Sequence, residues 1–360
     1  MFPLLRILAT ATAVFVILDA LMFRSGLYYD WTEPESTAGT VVQGMRVALE
    51  LHRRERRNVL VIGDSKIDQG FSAKIANESS SDTELNFVSL GLGGTTPRVW
   101  WYVLRDLDPR ADRFAAVVLM VDGLDDHGAF EDLGNRVLDL NYLAPLIRVA
   151  DTGDLAASYS KRDAKERILR NALLPGQAMR SDLIALLRQP RARVRKVQAH
   201  RAIRAASEYD FPGHSTRLPD WPGSPVKSTA DKDTWETYFR RLDGSQPARP
   251  EEETARYRER WYGAVARRYR AAGVPILLLP IPRGPYHARL ATADTLGGAL
   301  AVLAAEGVAV PLQSAPYRQM EEPEFFFDHF HLNALGRKRL SIALAQQVRD
   351  QLSSHMSTTR

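Results

Sequence analysis

The sequence predicts an α/β protein with a mostly parallel sheet, arranged as a three-layer α/β/α sandwich and preceded by one N-terminal transmembrane helix. Short runs that are apolar throughout alternate with longer stretches of helical periodicity. Continuous apolar runs are typical of parallel strands buried on both faces, and the alternation is typical of strands connected by helices. An apolar segment before the first run predicts the membrane helix.

Each predicted element follows from its local pattern. Short apolar runs predict strands, the last of them a weak edge strand; they cover 58–62, 86–90, 115–121, 275–279 and 308–312. Apolar residues at helical spacing predict helices; they cover 37–51, 100–107, 164–174, 181–204, 252–272, 291–306 and 333–352. Asn333 is the expected N-cap of the last helix.

The predicted domain organisation is one main domain behind an anchor. The segments are a signal-anchor or signal peptide at 1–24, a linker and helix at 25–57, the main domain at 58–352 and a tail at 353–360. Residues 140–250 interrupt the alternation of strands and helices, and their second part is rich in Pro, Gly, Ser and Asp. A loop of that length is uncommon unless it is functional or disordered. We therefore interpret 140–250 as an insertion that covers or extends the active-site face.

The composition is that of an ordinary globular protein. Of the 360 residues, 45% are hydrophobic and 25% are charged, which is enough apolar material for a large core. The net charge of +5 is mild, and no nucleic-acid-binding motif accompanies it, so we expect no nucleic-acid partner. The absence of cysteine excludes disulfides, thiolate metal sites and a cysteine nucleophile. No cluster of metal ligands stands out, and we expect neither a metal nor a cofactor.

The N-terminal segment has the features of a membrane anchor. Arg6 precedes an apolar run over 7–18, which Asp19 interrupts and which resumes to Phe23. A cleaved signal peptide and a buried helix are alternatives, but the bulky residues at 21–23 do not form a small-x-small cleavage site. We favour an uncleaved signal-anchor in the cell inner membrane, with the catalytic domain in the periplasm.

A basic run over 188–204 contains seven arginines or lysines and no acidic residue. One interpretation is a solvated helical face. The other is a surface for an anionic partner, either lipid headgroups or an acidic polysaccharide.

A serine follows the first predicted strand directly. Val59 to Ile62 is apolar, and Gly63-Asp64-Ser65 comes next. Ligand sites of open α/β sheets lie at the carboxyl ends of strands, and Gly63 permits a sharp turn there. Ser65 is therefore a candidate nucleophile, although turns use these residue types in any case.

Asp328-x-x-His331 supplies the base that a serine hydroxyl needs. His331 can accept the proton of Ser65, and Asp328 can orient the other ring nitrogen and stabilise the imidazolium. His329 is the competing base. It adjoins Asp328 and would point the other way in an extended segment, so we prefer His331.

These two motifs resemble the first and last sequence blocks of the SGNH, or GDSL-type, hydrolase superfamily, whose fold is flavodoxin-like. The resemblance covers roughly 58–125 and 270–350. It implies Ser65 as the nucleophile, Asp328 and His331 as its triad partners, and the Ser65 amide as one oxyanion donor.

The stretch from Ser89 to Pro97 resembles the glycine block of the same superfamily. This resemblance implies a second oxyanion amide from Gly94, with Gly93 as the alternative. Lys66 and the sequence from His331 to Gly336 are similar to a membrane-anchored branch that includes alginate-type O-acetyltransferases and the protein that helps D-alanylate teichoic acids. The resemblance implies action beside a membrane-bound O-acyltransferase on a cell-envelope or secreted polysaccharide.

One block departs from the superfamily pattern. The third block normally carries an asparagine that completes the oxyanion hole, whereas here Asp122 and Asp125 follow the third strand. An ionised carboxylate donates no hydrogen bond and would repel an oxyanion. Either the oxyanion hole has only two backbone donors, or one of these aspartates contacts substrate instead. Arg283, in the loop after the 275–279 strand, is a further candidate for substrate contact, with His127 and His287 as weaker ones.

Three functions fit these observations. The first is serine-dependent acyl transfer or ester hydrolysis, with an acetyl group expected, on a polysaccharide through an acyl-Ser65 intermediate. The second is a lipase or lysophospholipase that uses the anchor and the basic run to reach lipid. The third is a non-catalytic adaptor of a polysaccharide modification or export complex.

Overall fold

The computed structural model describes residues 2–122, 133–206, 251–284, 296–328 and 330–358. The chain divides into two compact units. The anchor unit, as we call it, consists of Met1–Val47 and Gly134–Arg204, and the sheet unit consists of Ala48–Leu133 and Ala205–Arg360. The first combines the N-terminal segment with part of the predicted insertion; the rest of the insertion, from 207 to 250, lies outside the described residues.

The sheet unit contains a five-stranded parallel sheet in its described part, which confirms the α/β class. The strands are β1 (Arg57–Gly63), β2 (Leu85–Gly91), β3 (Ala116–Val121), β4 (Ile276–Pro280) and β5 (Val310–Pro311). Their order is β2-β1-β3-β4-β5, and every neighbouring pair is parallel. The edge strand β5 is shorter than predicted, and Pro311 has no N–H for a ladder hydrogen bond.

The helices alternate with the strands, as predicted. They are α1 (Phe2–Arg24), α2 (Thr37–Leu51), α3 (Ser65–Gly70), α4 (Ala73–Ser79), α5 (Pro97–Leu107), α6 (Asp139–Tyr142), α7 (Thr152–Ala157), α8 (Arg162–Leu173), α9 (Pro175–Ala178), α10 (Arg180–Arg188), α11 (Pro190–Ala205), α12 (Glu251–Ala271), α13 (Gly298–Ala305), α14 (Ala315–Arg318) and α15 (Ala334–Thr358). Short 3-10 turns occur at Tyr29–Trp31, Leu133–Asn135, Val149–Asp151 and Pro323–Phe325.

The predicted helical segment 181–204 is helical, but it forms two helices instead of one. The helix ends at Arg188, and Gln189 leaves the helical region before α11 begins at Pro190. Proline lacks an N–H and disfavours the α conformation of the preceding residue. Of the predicted helix 291–306, the structure describes Gly298–Ala305, and residues 291–295 lie outside the described part.

The core of the sheet unit lies around β1 and β3. Every residue of β3 and all of β1 after Arg57 are buried. Helices α5 and α12 pack against each other, with α5 touching β1 and α12 touching β4. Helices α3 and α4 pack against β2, and α15 packs on both of them. These contacts bring the C-terminal helix next to the turn after β1.

The anchor unit has a small core and a network of ion pairs. Helix α1 is long and apolar enough to cross a membrane. Its Phe23 is buried with Tyr28, Ala38, Ala144 and Met179.

Three cations of the basic run pair with carboxylates within this unit. Arg193 binds Glu33 and Asp182, Lys196 binds Glu33 and Glu35, and Arg201 binds Asp30; the N···O distances are 2.7–3.1 Å. The run is therefore partly a structural surface, while Arg191 and Arg195 are exposed.

Helix α3 approaches the carboxyl end of β2 more closely than a side chain at Gly91 would allow. Gly63 and Gly91 are paired in register, and the backbone of α3 passes directly over Gly91. A Cβ built on Gly91 would lie 2.2 Å from the Cα of Asp68 and 2.3 Å from its amide nitrogen. Since real Cβ atoms do not approach backbone this closely, glycine at this position lets α3 lie against the strand end.

We expect Gly91→Ala to destabilise the sheet unit by about 1–3 kcal/mol, because the added methyl group overlaps backbone that cannot move aside. Gly153→Ala in α7 is the matched control, since a Cβ there meets nothing within 4 Å; it should be neutral or stabilise by up to about 1 kcal/mol. Thermal unfolding followed by tryptophan fluorescence measures both. Equal midpoints for the two variants would contradict the close approach.

Candidate active site

Ser65 is the first residue of α3, at the carboxyl end of β1. Asp64 caps this helix, and its side chain accepts a hydrogen bond from the Lys66 amide at 2.8 Å. The cap fixes the direction in which α3 leaves the strand. Amides in the first turn of a helix have no partner within the helix, and the Ser65 amide belongs to this turn.

Ser65, His331 and Asp328 lie in a hydrogen-bonded row. The Ser65 Oγ is 3.0 Å from His331 Nε2, and His331 Nδ1 is 2.7 Å from Asp328 Oδ2. The structure thus brings together the three residues that the sequence singled out. In this geometry His331 can take the proton of the serine hydroxyl while Asp328 holds the ring and stabilises the imidazolium.

The Asp328 carboxylate is held on both oxygens. Its Oδ1 accepts hydrogen bonds from the amides of Phe330 at 2.9 Å and His331 at 2.7 Å, while Oδ2 faces the imidazole. Burial alone would raise the pKa of Asp328, but the hydrogen bond and charge of His331 and the two amides outweigh it, and the pKa lies below its usual value. Asp328 is therefore ionised in its role beside the imidazole.

The turn that carries Asp328 and His331 is held by hydrogen bonds from the segments on either side of it. The Phe327 amide donates to the His331 carbonyl at 2.8 Å. Asn333 caps α15 through bonds from the amides of Leu335 and Gly336, and its own amide group donates to the Glu324 carbonyl at 2.7 Å. The side chain of Asn333 thus joins the start of α15 to the segment before Asp328.

Helix α15 is bonded directly to the helix that carries Ser65. Arg337 Nη1 donates to the carbonyls of Asp68 and Gln69 at 3.1 and 2.9 Å. These carbonyls belong to the last residues of α3, where a cation is favourable. The Ser341 hydroxyl also accepts from the Ser72 amide at 2.8 Å. Two distant parts of the chain are joined in this way within a few residues of the serine and the histidine.

The glycine loop after β2 lies beside Ser65. A Cβ built on Gly93 would be 3.9 Å from the Ser65 Cβ, and Gly94 has a φ of +72°, in the left-handed region. The Leu92 amide donates to the Gly63 carbonyl at 2.8 Å, which keeps the loop against the end of β1. Both glycines that the resemblance implied as oxyanion donors therefore remain candidates, and Gly93 is adjacent to the serine.

Asp122 forms an ion pair with Lys66. The Lys66 Nζ lies 2.7 Å from Asp122 Oδ1, with 12% of the Lys66 side chain and 56% of the Asp122 side chain exposed. Burial would lower the pKa of Lys66, but the carboxylates of Asp122 and Asp64 outweigh it and raise that pKa. Lys66 is therefore a cation and neutralises the Asp122 carboxylate at the end of β3.

Asp64 has the opposite environment to Asp328. Burial raises its pKa from 3.8 to about 6, and the Asp122 carboxylate adds to this, while the Lys66 charge opposes it. A carboxyl group with so perturbed a pKa, adjacent to the serine, is typical of a functional site.

Two buried groups hold the end of β3 in place: Arg258 donates to the Asp122 carbonyl at 2.9 Å, and Tyr262 donates to the Met120 carbonyl at 2.8 Å.

Arg283 is engaged by Glu321. Its guanidinium forms two hydrogen bonds with the Glu321 carboxylate at 3.0 and 2.8 Å, and its amide forms a third at 3.1 Å. This pair fixes the start of the loop after β4, and contact between Arg283 and substrate stays a prediction. The other candidates, Asp125, His127, His287 and His329, lie outside the described residues.

An apolar cavity of about 430 Å³ lies on the β4–β5 side of the sheet. Its lining contains none of the three residues in the hydrogen-bonded row; it consists of Val121, Leu278, Pro280, Leu296, Ala301, Ala304, Pro311, Leu312, Gln313 and Ser314. In the described ranges no group of three or more histidines and acidic residues is placed to hold a metal ion.

Comparisons of the chain with protein-family models, with curated proteins and with solved structures find no match.

Sequence reasoning missed Asp64, Lys66 and Arg337 as parts of this site. Asp64 and Lys66 flank the candidate nucleophile, and that adjacency was a usable signal. The pairing of Lys66 with Asp122 was not visible, because it requires β1 and β3 to be neighbours. Arg337 lies four residues after Asn333, one helical turn from the cap, but nothing in its spacing indicated a partner in α3.

The stability of the chain should depend on pH through Asp64. Its raised pKa means that the folded chain binds this proton more tightly than the unfolded chain, so ionisation costs stability as pH rises from about 4 to about 6. Asn keeps the cap acceptor and cannot ionise. At pH 7 we expect Asp64→Asn to be more stable than the wild type by on the order of 1–2 kcal/mol. At pH 4 we expect no such gain.

Asp328→Asn should show the opposite pH dependence of stability in the same experiment, because the pKa of Asp328 is lowered in the folded chain. Because its pKa is lower in the folded chain, Asp328 stabilises the fold at pH values above its pKa in the unfolded chain. This contribution is lost as pH falls through its pKa in the folded chain. The variant should be less stable than the wild type at pH 7, and its deficit should shrink below about pH 4. Denaturant unfolding in detergent micelles measures both; the same pH trend for both variants would refute these assignments.

Proposed function

We propose that the protein is a serine-dependent acyl-transfer enzyme, an O-acyltransferase or esterase of the SGNH type, with Ser65 as the nucleophile. The observation that carries the proposal is the continuous row from Asp328 through His331 to Ser65, at hydrogen-bond distances of 2.7 and 3.0 Å. Ser65 attacks the acyl carbonyl as its proton passes to His331. The imidazolium then protonates the leaving group, and a sugar hydroxyl or water releases the acyl group from Ser65.

The oxyanion of the tetrahedral intermediate is stabilised by backbone amides in this proposal. The Ser65 amide is one donor, and Gly93 or Gly94 supplies the second. Each such donor is typically worth about 3–4 kcal/mol. Lys66 replaces the missing asparagine indirectly: by pairing with Asp122, it cancels a negative charge that would otherwise oppose the oxyanion.

The substrate class and location follow from the anchor and from the resemblance. We assign the chain to the membrane-anchored branch that modifies cell-envelope or secreted polysaccharides, with an acetyl group as the transferred acyl group. The apolar helix α1 supports attachment to the inner membrane, and we propose a periplasmic location for the catalytic unit. A membrane-bound O-acyltransferase is the proposed acyl source, and a three-layer α/β/α sandwich is the proposed arrangement of the sheet and its helices.

The intact row of three side chains favours an enzyme over the adaptor. An adaptor has no use for an ionised Asp328 or for a histidine held within bonding distance of a serine. The lipase alternative requires an acyl-chain pocket at the serine, and the 430 Å³ apolar cavity includes none of the three residues. Activity on short acyl esters with none on long-chain esters would support the polysaccharide enzyme over the lipase.

We expect Ser65→Ala to lower turnover of p-nitrophenyl acetate by roughly a thousandfold or more, because no acyl-enzyme can form. Ser72→Ala is the matched control: it removes the cap of α4, which costs about 1 kcal/mol of stability, but leaves turnover unchanged. Release of p-nitrophenol measures both. Persisting turnover in Ser65→Ala would refute the nucleophile, and full biological complementation by that variant would favour the adaptor.

Lys66→Met removes the cation that faces the Asp122 carboxylate beside Ser65. We expect kcat/KM to fall about tenfold, which corresponds to about 1.4 kcal/mol of transition-state stabilisation. Lys66→Met combined with Asp122→Asn removes both charges, so most of the loss should be recovered. A double variant no faster than Lys66→Met would show that charge compensation is not the role of the pair.

A further inference from the structure

We infer that the anchor unit makes a second contact with the membrane, through exposed apolar side chains of α8 and α10 that insert into the headgroup region of an anionic bilayer. The side chains are Leu173, Ile184 and Leu187. This contact goes beyond the proposed reaction, since it concerns a surface of the anchor unit and no residue of the Ser65 site.

The first support is the direct contact between the membrane helix α1 and helix α9. Asp19 accepts a hydrogen bond from the Gly176 amide at 3.2 Å. A Cβ built on Gly176 would lie 2.0 Å from the Asp19 carboxylate and 2.6 Å from the Phe23 ring. Glycine at 176 thus allows the backbone of α9 to lie against α1, and the Asp19 carboxyl group gains a hydrogen-bond partner at this depth.

The second support is the depth at which this contact occurs. The candidate span Pro3–Arg24 has 22 residues, which at 1.5 Å per residue is about 33 Å, close to the thickness of the hydrocarbon core. Asp19 and Phe23 are in the last six residues of that span. Whatever packs on them lies where hydrocarbon meets headgroups, so α9 and its neighbours in the chain are at the membrane surface.

The third support is the apolar face that α10 leaves uncovered. Leu183 and Leu186 of α10 pack against the core of the anchor unit. Ile184 and Leu187 are three residues apart on the adjoining face and are 38% and 71% exposed. Leu173, the last residue of α8 and two residues before α9, is 48% exposed. Apolar side chains of this size are therefore exposed on both sides of α9.

The fourth support is the charge around that face. Arg180 and Arg188 are exposed at the two ends of α10, and Arg170 is exposed beside Leu173. Residues 161–204 contain thirteen arginines and lysines and three acidic residues. Apolar side chains flanked by cations are typical of helices that lie in a membrane interface, where arginine stems cover apolar surface and their heads reach anionic headgroups. Continuity with the span favours a bilayer over a second copy of the chain.

Single-cysteine variants test this contact in the full-length chain, which has no native cysteine. Leu187→Cys is labelled with an environment-sensitive fluorophore and reconstituted into vesicles of phosphatidylethanolamine and phosphatidylglycerol. Ile17→Cys in α1 is the lipid-exposed reference, and Val302→Cys, at an exposed position of α13, is the water-exposed reference. Quenching by nitroxide-labelled lipid and by aqueous iodide is compared at each position.

We expect the Leu187 label to be quenched by the nitroxide lipid at least about twofold more than the Val302 label, and to be shielded from iodide. Replacing phosphatidylglycerol with phosphatidylcholine should reduce its lipid quenching. Iodide quenching equal to that of Val302 would overturn the contact, and shielding from both quenchers would show a protein partner instead. If lipid quenching of the Leu187 label were equal in phosphatidylcholine and phosphatidylglycerol vesicles, the role of the anionic headgroups would be overturned. If iodide quenched the Ile17 label, both the membrane span and the contact would be overturned.

Discussion

The Asp328 carboxylate is the group on which the geometry of the site depends. It accepts two backbone hydrogen bonds on one oxygen and faces the imidazole with the other, so its position and the orientation of the His331 ring are set together. The ring in turn determines which nitrogen faces Ser65. Because the serine and the histidine are far apart in sequence, this arrangement also requires α3 and α15 to be fixed against each other, and Arg337 provides that connection.

The site contains two carboxylates with opposite environments. Asp328 is stabilised as an anion by amides and by His331, whereas desolvation and the nearby Asp122 carboxylate raise the pKa of Asp64 to about 6. Carboxylates whose pKa values are driven apart in one site are typical of acid–base chemistry. In this chain the anion orients His331, and the more weakly acidic group caps the helix that carries Ser65. The Lys66–Asp122 pair balances the charge of this edge of the sheet.

The parts of the structure that are local in sequence were the ones that could be predicted. The strands appeared as apolar runs, and the Gly63–Ser65 turn appeared as a glycine after a strand. The pairing of Asp328 with His331 was indicated by their three-residue spacing. The strand order could not be obtained in this way, so the Lys66–Asp122 pair was missed. The break at Pro190 was available from the sequence, since proline interrupts helices. The partners of Arg193 and Lys196 were not, because Glu33 and Glu35 are distant in the chain.

The central claim is that His331 activates Ser65 as a nucleophile, and reaction with a fluorophosphonate tests it most directly, because the reagent needs no knowledge of the natural substrate. Mass spectrometry of the labelled full-length chain should find one adduct, on the peptide that contains Ser65. The same reagent should leave His331→Ala essentially unlabelled, although the serine is still present. An unlabelled wild type, or equal labelling of wild type and His331→Ala, would contradict the account.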